Sequence, residues 1–456
     1  MGQAITGATR YPRALQSRPF ALLWLGQAIS ALGDGTFYIA LSWQVLVLTG
    51  SGTAIAGVLV AGTIPRILFF LIGGVAADRL PRRLVLLYSD TVRAVIVLVI
   101  ALLGWAHLLQ MWHLVALALL FGVVDGFFNP AYQAIIPQLV EKDALASANS
   151  LTGISQKVGL ILGSALAAGS ITLFSNPASA FAFNGATFVF SALCIILLRL
   201  PERANRAMVE QPHVAVPTEL ENVAGEQEGM AVPTAQESAA PAAPTGMMGH
   251  MRSLFKDAGE GFRYVLQSPW LRIIIPISAL CNIVVSGPSQ VASPKLVHDS
   301  YAAGAWLLGT LVMANSIGAT VAMLLVGQMP PKRQRGIALF IGLIGLSVAM
   351  VVFGLPLPHS WEPIVATLAA LLGGGCLGFF SIIWITLLQE KVPGDKLGRV
   401  SSIDMLGSFA LLPVGYALVG VLTDLLGASM VFFAGGVLCF VLCLIALSSK
   451  SVRELQ

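Results

Sequence analysis

Charge is what this chain has least of. Asp, Glu, Lys and Arg make up 11% of its 456 residues, against 56% hydrophobic residues, and the mean hydropathy is +0.83. Soluble domains are about one-quarter charged, so a water-facing globular surface is excluded. The net charge of +4 is spread over short loops and forms no patch that would hold nucleic acid. Cysteine is also scarce. Cys194, Cys281, Cys376, Cys439 and Cys443 all fall inside apolar runs, without metal-ligand spacing or a disulfide framework, and read as small packing residues. No Walker loop, metal motif or nucleophile elbow is present. That argues against an enzyme and against ATP-driven pumping, and no cofactor is implied.

Long apolar runs are abundant. They lie at about 19–48, 53–77, 84–106, 112–136, 149–174, 179–198, 270–293, 304–328, 336–356, 362–388, 400–423 and 427–448. Runs of this length cross a ~30 Å hydrocarbon core as helices, where every backbone polar group must be paired internally. Barrel strands would alternate in hydrophobicity, and these runs do not. The expected fold is an all-α membrane protein with twelve transmembrane helices.

The loops give an orientation. With the N-terminus inside, inner loops hold Arg79, Arg82, Arg83, Lys142, Arg199, Arg203, Lys332, Arg333, Arg335, Lys391, Lys396 and Arg399, whereas the outer loops hold little that is basic except Lys295. Basic residues accumulate on the cytoplasmic side, so both termini are expected there. The organisation that follows is a cytoplasmic segment 1–18, a six-helix bundle 19–200, a cytoplasmic linker 201–268, a second six-helix bundle 269–448 and a tail 449–456. Residues 204–250, rich in Pro, Ala, Glu and Gln, lack the apolar content to order themselves. After them Leu254, Phe255, Ala258, Phe262, Val265 and Leu266 recur at helical spacing, as in a helix lying on the inner membrane surface.

The halves resemble each other. A shift of 252 residues puts Val140, Asp143, Leu145 and Ser150 on Val392, Asp395, Leu397 and Ser402, and Gly163, Ala165 and Leu166 on Gly415, Ala417 and Leu418. Two parallel six-helix repeats around a central site are a transporter layout.

One loop is dense in charge: Gly74, Asp78, Arg79, Arg82 and Arg83 stand between the second and third runs, with Pro81 among them. Their spacing resembles the loop motif of the major facilitator superfamily. Ser89-Asp90-Thr-Val-Arg93-Ala94, Phe128-Asn129-Pro130, Pro137, Ala148-Asn149-Ser150, Gln389, Val392-Pro393 and Leu397-Gly398-Arg399-Val400 further resemble its third drug:proton antiporter branch, which includes exporters of macrolides and of enterobactin. The chain departs from the family in two places. In Gly122-Val-Val-Asp125-Gly126 the usual arginine is absent and an aspartate replaces a glutamine. Gly159, Gly163, Ser164, Ala167 and Ala168 keep the small-residue spacing of the antiporter motif without its proline; small residues there allow close helix packing. The resemblance implies that Asp78 sits at the N-terminus of the eleventh helix, where a carboxylate is favoured. Arg79, Arg82 and Arg83 would then pair with acidic groups nearby, as an inner gate that makes and breaks.

A charge within the hydrocarbon layer costs several kcal/mol unless it is paired or faces water. Four such residues stand out, all in the first half. Asp34 lies ~24 Å along the first helix and Arg66 ~18 Å deep in the second; Asp125 is mid-way in the fourth and Lys157 two turns into the fifth. Asp34 and Arg66, at similar depth, are expected to pair, with a proton on Asp34 releasing Arg66. Asp125 is a second proton candidate, and Lys157 either partners it or snorkels to the inner interface. Asp90 and Arg93 are expected to form a network on the gate side. The second half offers only Asn282, Gln290, Asn315, Gln389 and Asp404.

The expected function is secondary export of amphipathic small molecules (drug, macrolide-like or siderophore class) against proton entry, by a monomer in a prokaryotic inner or plasma membrane. Its partners would be a small-molecule substrate, protons and the lipid bilayer, with no nucleic acid. A proton-independent lipid or metabolite facilitator and a transporter-like membrane sensor are the alternatives.

Overall fold

The computed structural model describes residues 11–199, 259, 261–328, 334–356, 358 and 360–455. The expected linker, including residues 204–250, lies outside them, and so does most of the expected surface helix after it. Among the described residues, twelve segments are long and apolar enough to cross a membrane. The helices are α1 Arg18–Thr49, α2 Gly52–Arg79, α3 Arg82–Trp105, α4 Met111–Leu139, α5 Leu145–Phe174, α6 Ala178–Leu197, α7 Leu271–Gly287, α8 Ala305–Gln328, α9 Arg335–Gly354, α10 Glu362–Lys391, α11 Gly394–Ala410, α12 Leu412–Leu426 and α13 Ala428–Ser448.

Local chemistry sets several boundaries. The Ser17 hydroxyl accepts from the Phe20 amide at 3.4 Å to open α1, with Pro19 in its first turn. Gly50, at φ +64°, closes it in the left-handed conformation that glycine tolerates. Two spans differ from the sequence expectation. The seventh run does not stop near 293: beyond α7 the chain continues through wide turns at Pro288–Ala292 and Leu296–Ser300. Pro288 and Pro294 have no amide hydrogen to place in a regular ladder, so the path stays helical but loosens. The run at 400–423 is broken between α11 and α12, where Pro413 follows the interruption at Leu411.

In the first half α1 packs on α5 and α6, α2 on α4, and α3 on α4 and α6; in the second α8 packs on α10, α9 on α10 and α13, and α7 on α12 and α13. The halves meet along α2 with α12 and along α5 with α8. Glycines set the close seams. A Cβ on Gly122 of α4 would lie 2.1 Å from the Gly62 carbonyl oxygen of α2, and one on Gly126 would lie 2.8 Å from the Phe69 Cβ. The 252-residue shift takes these two glycines to Gly374 and Gly378 of α10, which meet Asn315 and Ala319 of α8 just as closely, within two positions of the shifted Gly62 and Phe69. The repeat seen in the sequence is therefore a repeat of helix contacts.

The apolar core is divided by depth. At the end of the bundle where α1 ends and α2 begins, one cluster takes buried residues from both halves, among them Val45, Ile55, Ala167, Leu296, Leu307 and Val419. At the other end, which carries Arg82, Arg83 and Arg335 (the basic end), there are two separate clusters. Phe20, Leu86 and Ile135 belong to a first-half core, and Leu271, Phe340 and Leu387 to a second-half core. The halves share a core at one end and keep their own at the other.

Candidate functional site

Three glycine seams bring charge into the middle of the first half. The Gly62–Gly122 contact places Arg66, one turn on in α2, beside Asp125 of α4. Gly26 of α1 lies against Ser191 and Cys194 of α6, which brings Gln27 to Ser191 at 2.8 Å. Gly159 and Gly163 of α5 lie against Ala31 and Gly35 of α1, and fix the turn that carries Asp34.

The result is a chain of charges. Asp90 and Arg93, one turn apart on α3, form a fully buried ion pair. Asp90 also accepts from the Ser191 hydroxyl at 2.6 Å and from Gln27 Nε2 at 3.1 Å. The Arg93 guanidinium lies over the rings of Phe128 and Phe188, with its carbon 3.8 Å and 4.7 Å from their centroids, a favourable placement for a cation removed from water. Its other side reaches Asp125 at 3.7 Å, and Asp125 in turn lies 3.8 Å from Arg66. Arg66 is 48% exposed. The chain thus runs from a buried pair to an open cation.

Asp34 stands beside it. Its side chain is exposed, and the surface it exposes lines two adjoining chambers. The larger holds about 310 Å³ between the halves and is walled by Phe37, Tyr38, Phe121 and Tyr416 together with Arg66 and Asp125. The smaller, about 100 Å³, extends past Gln27, Asn129 and Tyr132. Asp34, Arg93 and Asp125 face both. Two buried polar atoms on the larger chamber's wall, the Tyr38 hydroxyl and Gln290 Oε1, have no hydrogen-bond partner among the described residues.

Two expectations need correction. Asp34 has no ion pair among the described residues; Arg66 pairs with Asp125. Equal depth suggested the first pairing, but the Gly62–Gly122 seam holds α2 against α4. Of the two readings of Lys157, the pairing with Asp125 falls: Lys157 is exposed and lines neither chamber, and Asp125 lies against Arg66 and Arg93. Asp90 and Arg93, expected as a network on the gate side, lie in the same chain of charges as Asp125 and Arg66.

Of the charged loop, Gly74, Asp78 and Arg79 fall in the last turns of α2, and their side chains lie outside the described residues. Arg82 Nη1 donates to the Ala134 carbonyl at 2.8 Å. Arg83 donates to the carbonyls of Ile195 and Ile196, at 3.0 and 2.7 Å. Among the described residues it meets the negative end of α6, not an acidic side chain.

In the second half the 252-residue shift puts Gly342, Gly345 and Leu377 opposite Asp90, Arg93 and Asp125, so the repeat has no second charge chain. Two of its polar groups are satisfied locally: Asn282 Nδ2 donates to the Ser408 carbonyl at 2.8 Å, and Trp384 Nε1 to Asp404 at 3.0 Å. Sequence spacing also missed a thiol cluster, because its members sit on α7 and α13. The Sγ atoms of Cys281, Cys439 and Cys443 lie within 4.8 Å of one another in the second-half core and offer three soft donors.

Comparison with known proteins agrees with this architecture. The family model described as Major Facilitator Superfamily matches residues 23–411. Macrolide efflux protein A of Streptococcus pyogenes is 22% identical over 438 residues, covering 96% of this chain and 97% of the relative. The multidrug efflux pump Tap of Mycolicibacterium fortuitum is 26% identical over 444 residues, at 96% and 97% coverage. The enterobactin exporter EntS of Escherichia coli O81 (strain ED1a) is 24% identical over 461 residues, at 96% and 95%. Among solved structures, the nucleoside transporter NupG superposes with a TM-score of 0.67 at 13% identity, covering 94% of this chain and 98% of that one. Twelve spans in two repeats, a charged chamber between the halves and a family match over most of the length place this chain in the major facilitator superfamily of membrane transporters.

Proposed function

We propose that the protein exports amphipathic small molecules, of drug, macrolide-like or siderophore class, in exchange for protons, by alternating access across a prokaryotic inner membrane. The observation that carries this is Asp34, a carboxylate without an ion-pair partner among the described residues, open to a chamber walled by Phe37, Tyr38, Phe121 and Tyr416. The aromatic wall takes an apolar cargo body, and the unpartnered Tyr38 hydroxyl and Gln290 oxygen are handles for its polar groups. Asp34 is the proton acceptor. Protonation changes the charge beside the loose Arg66–Asp125 pair and so the competition between cargo and proton. Relatives named as efflux proteins support the direction of transport. In this reading the basic end faces the cytoplasm, the six-helix halves 19–200 and 269–448 move against each other, and a monomer does the work.

The test is efflux of a drug and siderophore panel from cells expressing the protein, with and without a protonophore, and again with Asp34→Asn. Loss of export under both conditions is expected. Export that ignores the protonophore, or an Asp34→Asn variant with normal proton-driven export, overturns the antiport reading.

A further inference from the structure

α2 begins far from the charge chain, at the end where the halves share their core. Its first three amides have no backbone partners within the helix; the fourth, Ile55, makes the first regular bond, to the Ser51 carbonyl at 3.3 Å. The Ala54 amide is capped by the Ser51 hydroxyl oxygen at 3.2 Å. The other two, Gly52 and Thr53, donate to the Asp424 carboxylate at 2.7 and 2.9 Å. Asp424 lies near the C-terminal end of α12, in the other half. It also accepts from the Ser51 hydroxyl at 2.6 Å and from Lys295 Nζ at 2.7 Å. Directly behind this contact a Cβ on Gly52 would lie 3.0 Å from Thr423, and one on Gly420 would lie 2.6 Å from the Ala56 Cβ. Helix ends and carboxylate are held together by the shape of the backbone.

We infer that Asp424 is the latch that closes this end of the transporter, its carboxylate docked on the N-terminus of α2 and undocked once in every cycle. The inference rests on the alternating-access reading above. The partners divide by half. Ser51, Gly52 and Thr53 belong to the first half and leave when the halves part. Lys295 belongs to the second half, as Asp424 does, and travels with it. The carboxylate therefore keeps its counter-charge in both states, and opening strips away only the helix cap, whose amides water can then solvate. A salt bridge spanning the halves would instead separate two partly buried charges at each opening. The latch is reversible because its ion pair is never the part that breaks.

This assigns opposite roles to two side chains that look like one surface ion pair. Asp424→Ala removes the cap from α2 and lets this end open. Lys295→Met leaves the carboxylate free to hold the α2 amides and keeps this end closed.

The test uses spin labels on engineered cysteines at Leu108 and Trp361, both exposed at this end and on opposite halves, with distance distributions measured in the full-length protein in lipid. Four of the native cysteines are buried and should label poorly. Asp424→Ala is expected to raise the ratio of long to short distances roughly tenfold, the weight of a helix cap. Ser51→Gly, which removes one donor to the carboxylate at little cost to folding, should move it the same way by less. Lys295→Met should leave the short distance dominant, and Asp299→Ala, an exposed neighbour paired with His298, should change nothing. An Asp424→Ala distribution equal to that of the unaltered protein overturns the latch. A Lys295→Met variant that opens as Asp424→Ala does overturns the division of roles. If the unaltered protein and every variant give one distance with and without a pH gradient, the alternating-access reading falls and the latch with it.

Discussion

The Arg66 guanidinium lies 3.8 Å from the Asp125 carboxylate, across the seam where Gly62 meets Gly122. The pair is one link of a chain, since Asp125 also reaches Arg93. Residues that share a charge network couple energetically by 0.5–3 kcal/mol, while independent sites add. Arg66→Ala and Asp125→Asn should therefore be non-additive in export rate by about 1 kcal/mol or more. Double-mutant cycles on initial efflux rates decide it; additivity within about 0.5 kcal/mol would mean that the two residues act independently.

The seam itself can be tested without touching a charge. A methyl on Gly122 would meet the Gly62 carbonyl at 2.1 Å, and backbone cannot move aside cheaply. Gly122→Ala should cost about 1–3 kcal/mol, the usual range for overpacking, and lower both the thermal midpoint in detergent and export. Gly57→Ala, where nothing lies within 4 Å, should be neutral or slightly stabilising.

Asp90 has a different kind of importance. Removing one member of a buried ion pair leaves the other charge uncompensated and costs about 3–5 kcal/mol. Asp90→Ala should accordingly reduce folded protein in the membrane and lower its thermal midpoint. Replacing both partners, Asp90→Leu with Arg93→Met, should recover much of that stability and still fail to export, because Arg93 also faces both chambers. Thermal unfolding together with efflux separates the two effects.

Lys157 should be dispensable. It is exposed and lines neither chamber, so Lys157→Ala should leave export and its pH dependence unchanged. A changed pH profile would return it to the coupling machinery.

The twelve spans were legible because lipid imposes one rule on every residue of a run, and a run of eighteen or more apolar residues announces itself. The repeat was legible at the same offset that now relates Gly122 to Gly374. The pairing of charges was not. Depth along a helix can be counted, but rotation about its axis and the choice of neighbour depend on which glycines meet. Gly62 and Gly122 are each unremarkable in a glycine-rich chain, and only their contact sends Arg66 to Asp125 and away from Asp34. Asp424 was missed for a related reason: its partners are backbone amides, which no side-chain pattern reports. The signal that existed was Lys295, the solitary basic residue of the expected outer loops.

The division of the core carries a thermal consequence. Under the proposed alternating access, the apolar surface of the shared cluster around Val45, Leu307 and Val419 would be uncovered as other surface is covered. Hydration of apolar area carries heat capacity. Any imbalance between the surface lost and the surface gained makes the state populations curved functions of temperature, and cooling loosens the apolar seam first.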